Sequence, residues 1–308
     1  MVDPILIKEL RALMGAQRVL ENEPMCDHTS FRIGGPADVF VTPCTPDQAA
    51  AAISACRAAE TPVHVMGHGS NLLVADEGLA GVVVQICGDM GAVSIEGETL
   101  YTEAGASNAK AAAAACKAGL AGFEFAAGIP GALGGAAIMN AGAYGGEFRD
   151  VCFEVECLDR DGAIVSLDAE QAGWGYRTSK IADEGMVVLA VRIALRPDDP
   201  AQIQARMDDL AARRRAKQPL DLPSAGSTFK RPEGDFAGRL IQEAGMQGHR
   251  VGDAQVSTKH AGFVVNLGSA TAADVLQVIR DVRQAVDAQF GVLLQPEVKL
   301  WGFSEPVF

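Results

Sequence analysis

Aromatic side chains make up only 6% of the 308 residues, and cations are outnumbered, 26 Lys and Arg against 39 Asp and Glu. The first shortage leaves a core built mainly of Ala, Val and Leu. The second gives a formal net charge of −13 and argues against a nucleic-acid binder, because neutralising phosphates takes clustered Lys and Arg. A local group of cations can still override that field for a small anion. Cys-x-x-Cys never occurs among the seven cysteines (26, 44, 56, 87, 116, 152 and 157). Their odd number and apolar neighbours point to reduced core thiols in a cytoplasmic protein. No His or carboxylate stands at zinc spacing, so no metal is expected. No apolar run approaches about 18 residues and no signal peptide is evident, so no membrane association and no export are expected. The Gly-Lys-Ser/Thr of a P-loop and the Gly-x-Ser-x-Gly elbow of a serine hydrolase are both missing.

What is abundant is glycine, 34 residues of it, and it is concentrated in residues 127–145, AGIPGALGGAAIMNAGAYG. This run holds no Lys or Arg, so an anion bound here would be held by main-chain N–H groups or by a helix start. That suits a buried diphosphate better than a surface phosphate clamp. A second glycine loop, Gly67-His68-Gly69-Ser70-Asn71-Leu72, follows the strand-like Val63–Met66. It fails the dinucleotide fingerprint, which needs a third glycine where Leu72 stands. Taken singly it reads equally well as a tight turn. Two such loops in one region are harder to explain without a ligand.

The length suits two or three domains, and the pattern is α+β. Helices are expected at 3–14, from Pro46 to about Ala59 with Thr45 as cap, at 106–118, 201–216, 235–245, and 271–289 with Thr271 as cap. Strands are expected at 39–41, 63–66, 82–86, 99–103, 151–158, 163–167, 187–195, 254–257, 262–266 and 291–300. Pro219, Pro223, Ser224 and Gly226 break the pattern and place a boundary near 198–220. Polar stretches remain at Tyr176-Arg177-Thr178-Ser179, at 223–232 and at 255–260, and Glu297 stands beside Pro296. Each alone reads as a surface loop, a capped turn, an exposed strand or a surface carboxylate.

Together these segments resemble the UDP-N-acetylenolpyruvoylglucosamine reductases of bacterial peptidoglycan synthesis. The runs carrying the resemblance are 31–38, 67–74, 127–145, 176–179, 226–232, 254–261 and 296–298, in the family's order and over nearly the whole chain. The resemblance implies an FAD-binding fold of the vanillyl-alcohol-oxidase (PCMH) type in two subdomains, 1–80 and 81–198. It also implies a C-terminal α+β substrate-binding domain at 199–300, followed by a tail at 301–308. The implied activity is NADPH-dependent reduction of the enolpyruvyl ether of UDP-N-acetylglucosamine enolpyruvate to UDP-N-acetylmuramate through non-covalent FAD. The partners are then the UDP-sugar substrate and NADPH; the oligomeric state stays open, with a monomer among the readings.

Carried over residue by residue, the family's catalytic arginine falls on Arg177, its proton-donating serine on Ser227 and its carboxyl group on Glu297. The cofactor-binding positions are Gly67, His68, Gly69, Ser70, Asn71 and Leu72, then Gly128, Ile129, Pro130, Gly131, Ala132, Gly134, Gly135, Asn140, Ala141 and Gly142, with Arg214. The substrate-binding positions are Tyr176, Lys217, Lys230, Arg231, Lys259 and His260. Arg231 stands where the best-known members carry Asn, and His260 where they carry Gln. No insertion with an extra substrate-clamping tyrosine is evident, which marks the family's compact subtype. An oxidase of the same fold is the first alternative; it would attach FAD through a histidine, and no Arg-Gly-Gly-His occurs. A non-catalytic flavin- or nucleotide-binding module is the second, and it would not need Arg177, Ser227 and Glu297 together.

Overall fold

A computed structural model describes residues 1–303; residues 304–308, most of the expected tail, lie outside the described residues. The chain forms two compact units that do not follow sequence order. One holds 1–20, 39–68 and 81–214; the other holds 21–38, 69–80 and, among the described residues, 215–303. Each unit is therefore built from three separate stretches of chain.

In the first unit the five antiparallel strands run in the order Ile164–Asp168, Cys152–Leu158, Val187–Ala194, Thr99–Glu103, Val93–Glu96. Val191 stands opposite Val155 on one side and Thr102 on the other. The central strand is buried from Val187 to Val191, as expected of β-branched residues covered on both faces. Val63–Met66 pairs in parallel with Val82–Gln85 after the helix Pro46–Ala58, whose Thr45 hydroxyl accepts the Gln48 N–H at 3.2 Å. Phe123, Phe148 and Trp174 meet edge to face, at centroid distances of 6.3 and 5.9 Å.

In the second unit an antiparallel sheet runs Ser224–Ser227, Phe263–Asn266, Ala254–Val256, Arg250–Val251. The helix Ala272–Phe290 buries Val275, Val278, Ile279, Val282 and Val286, the three-and-four spacing of one helical face. Its start carries the expected Thr271–Asp274 capping box. Asp76 adds a second cap, accepting the Ala272 N–H at 2.8 Å and the Ala273 N–H at 3.1 Å. The segment Gly34-Gly35-Pro36 lies against Asp76–Gly78 so closely that a Cβ on Gly35 would stand 2.1 Å from the Asp76 carbonyl oxygen. The strand expected at 291–300 is much shorter, Lys299–Trp301, paired in parallel with Leu72–Val74. Within 291–298 only Pro296 makes a bridge, to Phe229.

The cysteines are all free, but only four are buried; Cys26, Cys44 and Cys87 are half-buried, which corrects the expectation of seven core thiols. Burial pushes Cys56 up to about 11 and Cys152 and Cys157 up to about 12. Since the thiolate is the nucleophile, iodoacetamide at pH 8 should label Cys26 and Cys44 and leave Cys56, Cys152 and Cys157 silent until the protein is denatured, as read by peptide mass spectrometry. Asp76→Ala should lower stability by about 1–2 kcal/mol through loss of the second cap, and Asp76→Asn by less, as read by chemical denaturation.

Candidate active site

In the first unit Gly67, at the start of one glycine loop, meets the other. A Cβ on Gly67 would stand 2.8 Å from the Cβ of Ala132, and one on Gly134 would stand 3.0 Å from that of Ala104. Residues 133–138, expected as loop, form a short helix whose N-cap Ala132 offers no side-chain cap. Two amides at its start are already committed, Leu133 N–H to Ala106 O and Gly134 N–H to Ala104 O, both at 2.9 Å. Anion binding by this helix start is therefore narrower than the run of glycines suggests. Beside it lies a cavity of about 270 Å³, walled by Val63, Val65, Met66, Ile86, Val187 and Val188 and by Gly67, Ala132, Gly134 and Gly135. A Cβ on Gly135 would enter open space. An apolar slot with bare main chain along one wall fits a flat heteroaromatic ring joined to a diphosphate.

Asn108, which the sequence reading missed, fastens this loop. Its side-chain N–H groups donate to the carbonyls of Ile129 (3.2 Å) and Gly131 (3.5 Å), and its own main-chain N–H donates to Gly131 O at 3.3 Å. Asn108 is 1% exposed, and among the described residues its Oδ1 has no hydrogen-bond partner. An enclosed acceptor left without a donor costs stability, so gripping the loop is what this amide contributes. Arg214 lies behind the loop, its Cδ and Nη1 3.3 Å from where a Gly128 Cβ would be. Burial lowers its pKa and the neighbouring Tyr144 raises it, but an arginine stays charged.

The second half of the glycine run has a different task. Gly142–Ala143 and Gly146–Glu147 form a hairpin through Tyr144 and Gly145, both at positive φ (55° and 90°), as a tight two-residue turn requires. Against this segment sits the turn that carries Arg177. Trp174 Nε1 donates to Ala137 O (2.7 Å), Ser179 Oγ to Ile138 O (2.8 Å), Arg177 Nη1 to Asn140 O (3.3 Å) and Arg177 Nη2 to Gly142 O (3.2 Å). Arg177 is half-buried, its guanidinium carbon 5.3 Å from the ring centre of the exposed Tyr176.

In the second unit two candidate groups come onto adjacent segments. Glu297 N–H donates to Thr228 O at 2.8 Å, and Lys230 N–H donates to Gln295 O at 2.8 Å, so 227–230 runs beside 295–297. Gly226, at φ 76°, marks a break in register between Ser224 and Ser227, and Ser227 ends exposed. Asn71 joins them: its side chain donates to Glu297 O (3.3 Å) and its carbonyl accepts from Lys299 N–H (2.9 Å). Ser30, also missed, ties the two loops, with its N–H on Gly69 O (3.3 Å) and its hydroxyl on Ser224 O (2.7 Å). Glu297 is half-buried, and His68 is exposed.

Lys217, Lys259 and His260 come together at the end of the helix Pro200–Lys217. Lys259 Nζ donates to Arg215 O at 2.7 Å, and the Lys217 charge bears on His260. His260 Nδ1 accepts the Gly262 N–H at 3.1 Å, which requires an unprotonated Nδ1. Burial, with the Lys217 charge, holds its pKa below the ordinary value. Arg231 is drawn aside, its guanidinium carbon 3.9 Å above the Phe236 ring and its Nε on Asp235 O at 3.2 Å. Among the described residues no group of three His, Cys, Asp or Glu is placed to hold a metal, and no helix is long and apolar enough to cross a membrane.

Comparison with known proteins agrees with this construction. The profile of an FAD binding domain matches residues 37–168, and that of the UDP-N-acetylenolpyruvoylglucosamine reductase C-terminal domain matches residues 218–301. The UDP-N-acetylenolpyruvoylglucosamine reductase of Lachnoclostridium phytofermentans is 47% identical over 302 residues, 97% of either chain. That of Caldanaerobacter subterraneus subsp. tengcongensis is 45% identical over 97% of this chain and 98% of its own. The crystal structure of the Thermus caldophilus reductase covers 92% of this chain and 98% of its own, with a TM-score of 0.79 and 37% identity. Alkyldihydroxyacetonephosphate synthase, at 15% identity and a TM-score of 0.50 over 64% of this chain and 41% of its own, shares the FAD-binding fold alone. The fold is thus α+β, of the vanillyl-alcohol-oxidase type with a C-terminal domain. By identity of this level over nearly its whole length, the chain belongs to the UDP-N-acetylenolpyruvoylglucosamine reductase family.

Proposed function

We propose that the protein reduces the enolpyruvyl ether of UDP-N-acetylglucosamine enolpyruvate to UDP-N-acetylmuramate at the expense of NADPH, in the cytoplasm, as a step in making peptidoglycan precursors. The observation that carries this reading is the pairing of 227–230 with 295–297, which sets a hydroxyl and a carboxyl group on neighbouring segments. FAD, when bound, supplies the hydride that NADPH provides and that is added at C3 of the vinyl ether. Gly67, Ala132, Gly134 and Gly135 would wall its ring and diphosphate, with Arg214 behind the loop.

The protein's own task is the charge that hydride addition leaves on C2 and its carboxylate. The planar fork of Arg177 matches that carboxylate and stays charged at every working pH. Glu297 assists only while it carries a proton, because an ionised carboxylate would repel the anion. Ser227 Oγ passes its proton to C2, completing addition of H⁻ and H⁺ across the double bond. A hydroxyl is a weak acid, but a carbanion is a strong enough base to take the proton. Lys217, Lys230, Arg231 and Lys259 supply a local positive field for the anionic groups of UDP and NADPH in a chain of net charge −13, with His260 as an uncharged neighbour in the same substrate-binding set.

Ser227→Ala should slow reoxidation of the reduced enzyme by the enolpyruvyl sugar nucleotide about 10²–10⁴-fold and leave reduction by NADPH nearly intact in stopped-flow absorbance. An equal loss in both half-reactions would remove Ser227 from the proton transfer. For His260 the folded pKa lies below the unfolded value, so its contribution to stability is complete above the unfolded pKa of about 6.5 and is lost as pH falls through the folded one. The imidazole should titrate below that value by NMR, and His260→Gln should show a smaller fall in thermal midpoint between pH 7.5 and pH 5 than the parent.

A further inference from the structure

Asn140 sits where a cofactor ligand is expected, yet both of its side-chain hydrogens are already committed within the protein. It is 1% exposed. Its two amide hydrogens go to Glu147 Oε2 (2.9 Å) and Gly175 O (3.0 Å), and its Oδ1 accepts from Arg149 N–H (3.0 Å). Glu147 is held in turn by Arg149 Nε at 2.9 Å and by a capping box with Asp150. The backbone of Asn140 is left-handed, φ 41°, a conformation Asn tolerates better than most residues. That conformation accompanies a carbonyl directed at Arg177 Nη1. Arg177 is itself left-handed, φ 55°. Asn140 therefore grips the arginine turn twice, by its side chain at Gly175 and by its main chain at Arg177.

We propose that Asn140 is a positioning residue for Arg177, fixing the guanidinium through the 140–142 turn instead of touching cofactor or substrate. The proposal rests on the role given to Arg177 above. Displacing a substrate-orienting cation by about an ångström costs on the order of 100-fold, so the grip has a kinetic signature that a merely structural asparagine lacks.

The test uses holoenzyme carrying Asn140→Gly, Asn140→Asp, Arg177→Ala, and the Asn140→Gly/Arg177→Ala pair. Glycine accepts the left-handed backbone and keeps the carbonyl while removing the amide. Aspartate keeps the size and the Oδ1 acceptor while removing the two donors, and it carries the comparison alone if the glycine variant does not fold. In both, bound FAD by absorbance should stay at the parent level and the NADPH half-reaction within about 3-fold. The substrate half-reaction should fall about 10- to 100-fold. In the Arg177→Ala background, Asn140→Gly should cost no more than about 3-fold, since residues acting through one another are not additive. The same loss in both backgrounds overturns the proposal, as does lost FAD with a normally reacting loaded fraction. Arg177→Ala with an unimpaired substrate half-reaction overturns the role of Arg177 itself, an outcome visible before the pair is made.

Discussion

Main chain packed against main chain is the constraint on which the rest of this structure depends. Gly67 meets Ala132 and Gly134 meets Ala104 at separations where any larger side chain on the glycine would collide. Gly78, in the second unit, would place a Cβ 1.9 Å from the carbonyl of Pro36. The scarcity of aromatics belongs to the same design. A core of Ala and Val lets elements approach closely, and it leaves backbone amides and carbonyls near enough to serve as ligands or anchors. Specificity then comes from a few buried amide side chains, such as those of Asn108 and Asn140, which fix where the exposed main chain points.

Charge is organised on the same economy. Acids outnumber cations over the whole chain, while Lys217, Lys259 and His260, proposed to meet substrate, are gathered at one helix end. His260 illustrates how tightly that group is set. Its unprotonated Nδ1 is needed by Gly262 N–H, and the burial that disfavours the imidazolium preserves this acceptor. Its edge-to-face contact with Phe263, centroids 5.0 Å apart, holds the ring in place.

Much of this was legible in the sequence where the signal is local. The helix Ala272–Phe290 announces itself by apolar spacing and a capping box, and the helix after Thr45 by its cap and Pro46. The helix Leu133–Ile138 was invisible because Gly and Ala carry no amphipathic contrast and Ala132 cannot cap. The strand read into 291–300 failed because the segment meets 227–230 only at 295–297, through a single bridge at Pro296, and ladder pairing begins only at Lys299. Interleaving of the units was illegible for a related reason. The contacts that place 21–38 and 69–80 with the C-terminal part, such as Asp76 at the start of a helix 196 residues away in sequence, are non-local. The candidate site divides in the same way: Arg177, Ser227 and Glu297 came from the family resemblance and not from their residue types, each of which alone reads as surface, whereas Asn108, Ser30 and Trp174 act through partners far along the chain.

The glycine-rich run explains why one short segment matters so much. Its short helix walls the cavity with Gly134 and Gly135, and the residues that follow the helix carry the seat of Arg177. That helix packs on the buried strand Val187–Ala194, and Ala137 and Ile138 at its end accept the side chains of Trp174 and Ser179. Six residues of helix span only about 9 Å and bend little. The separation between the cavity and the arginine turn is therefore set within one unit by a single rigid element that forms part of the cavity wall. The geometry that must be most exact for hydride addition is thus entrusted to the shortest connection available, and the residues that clamp its far end matter as much as those that line its near end.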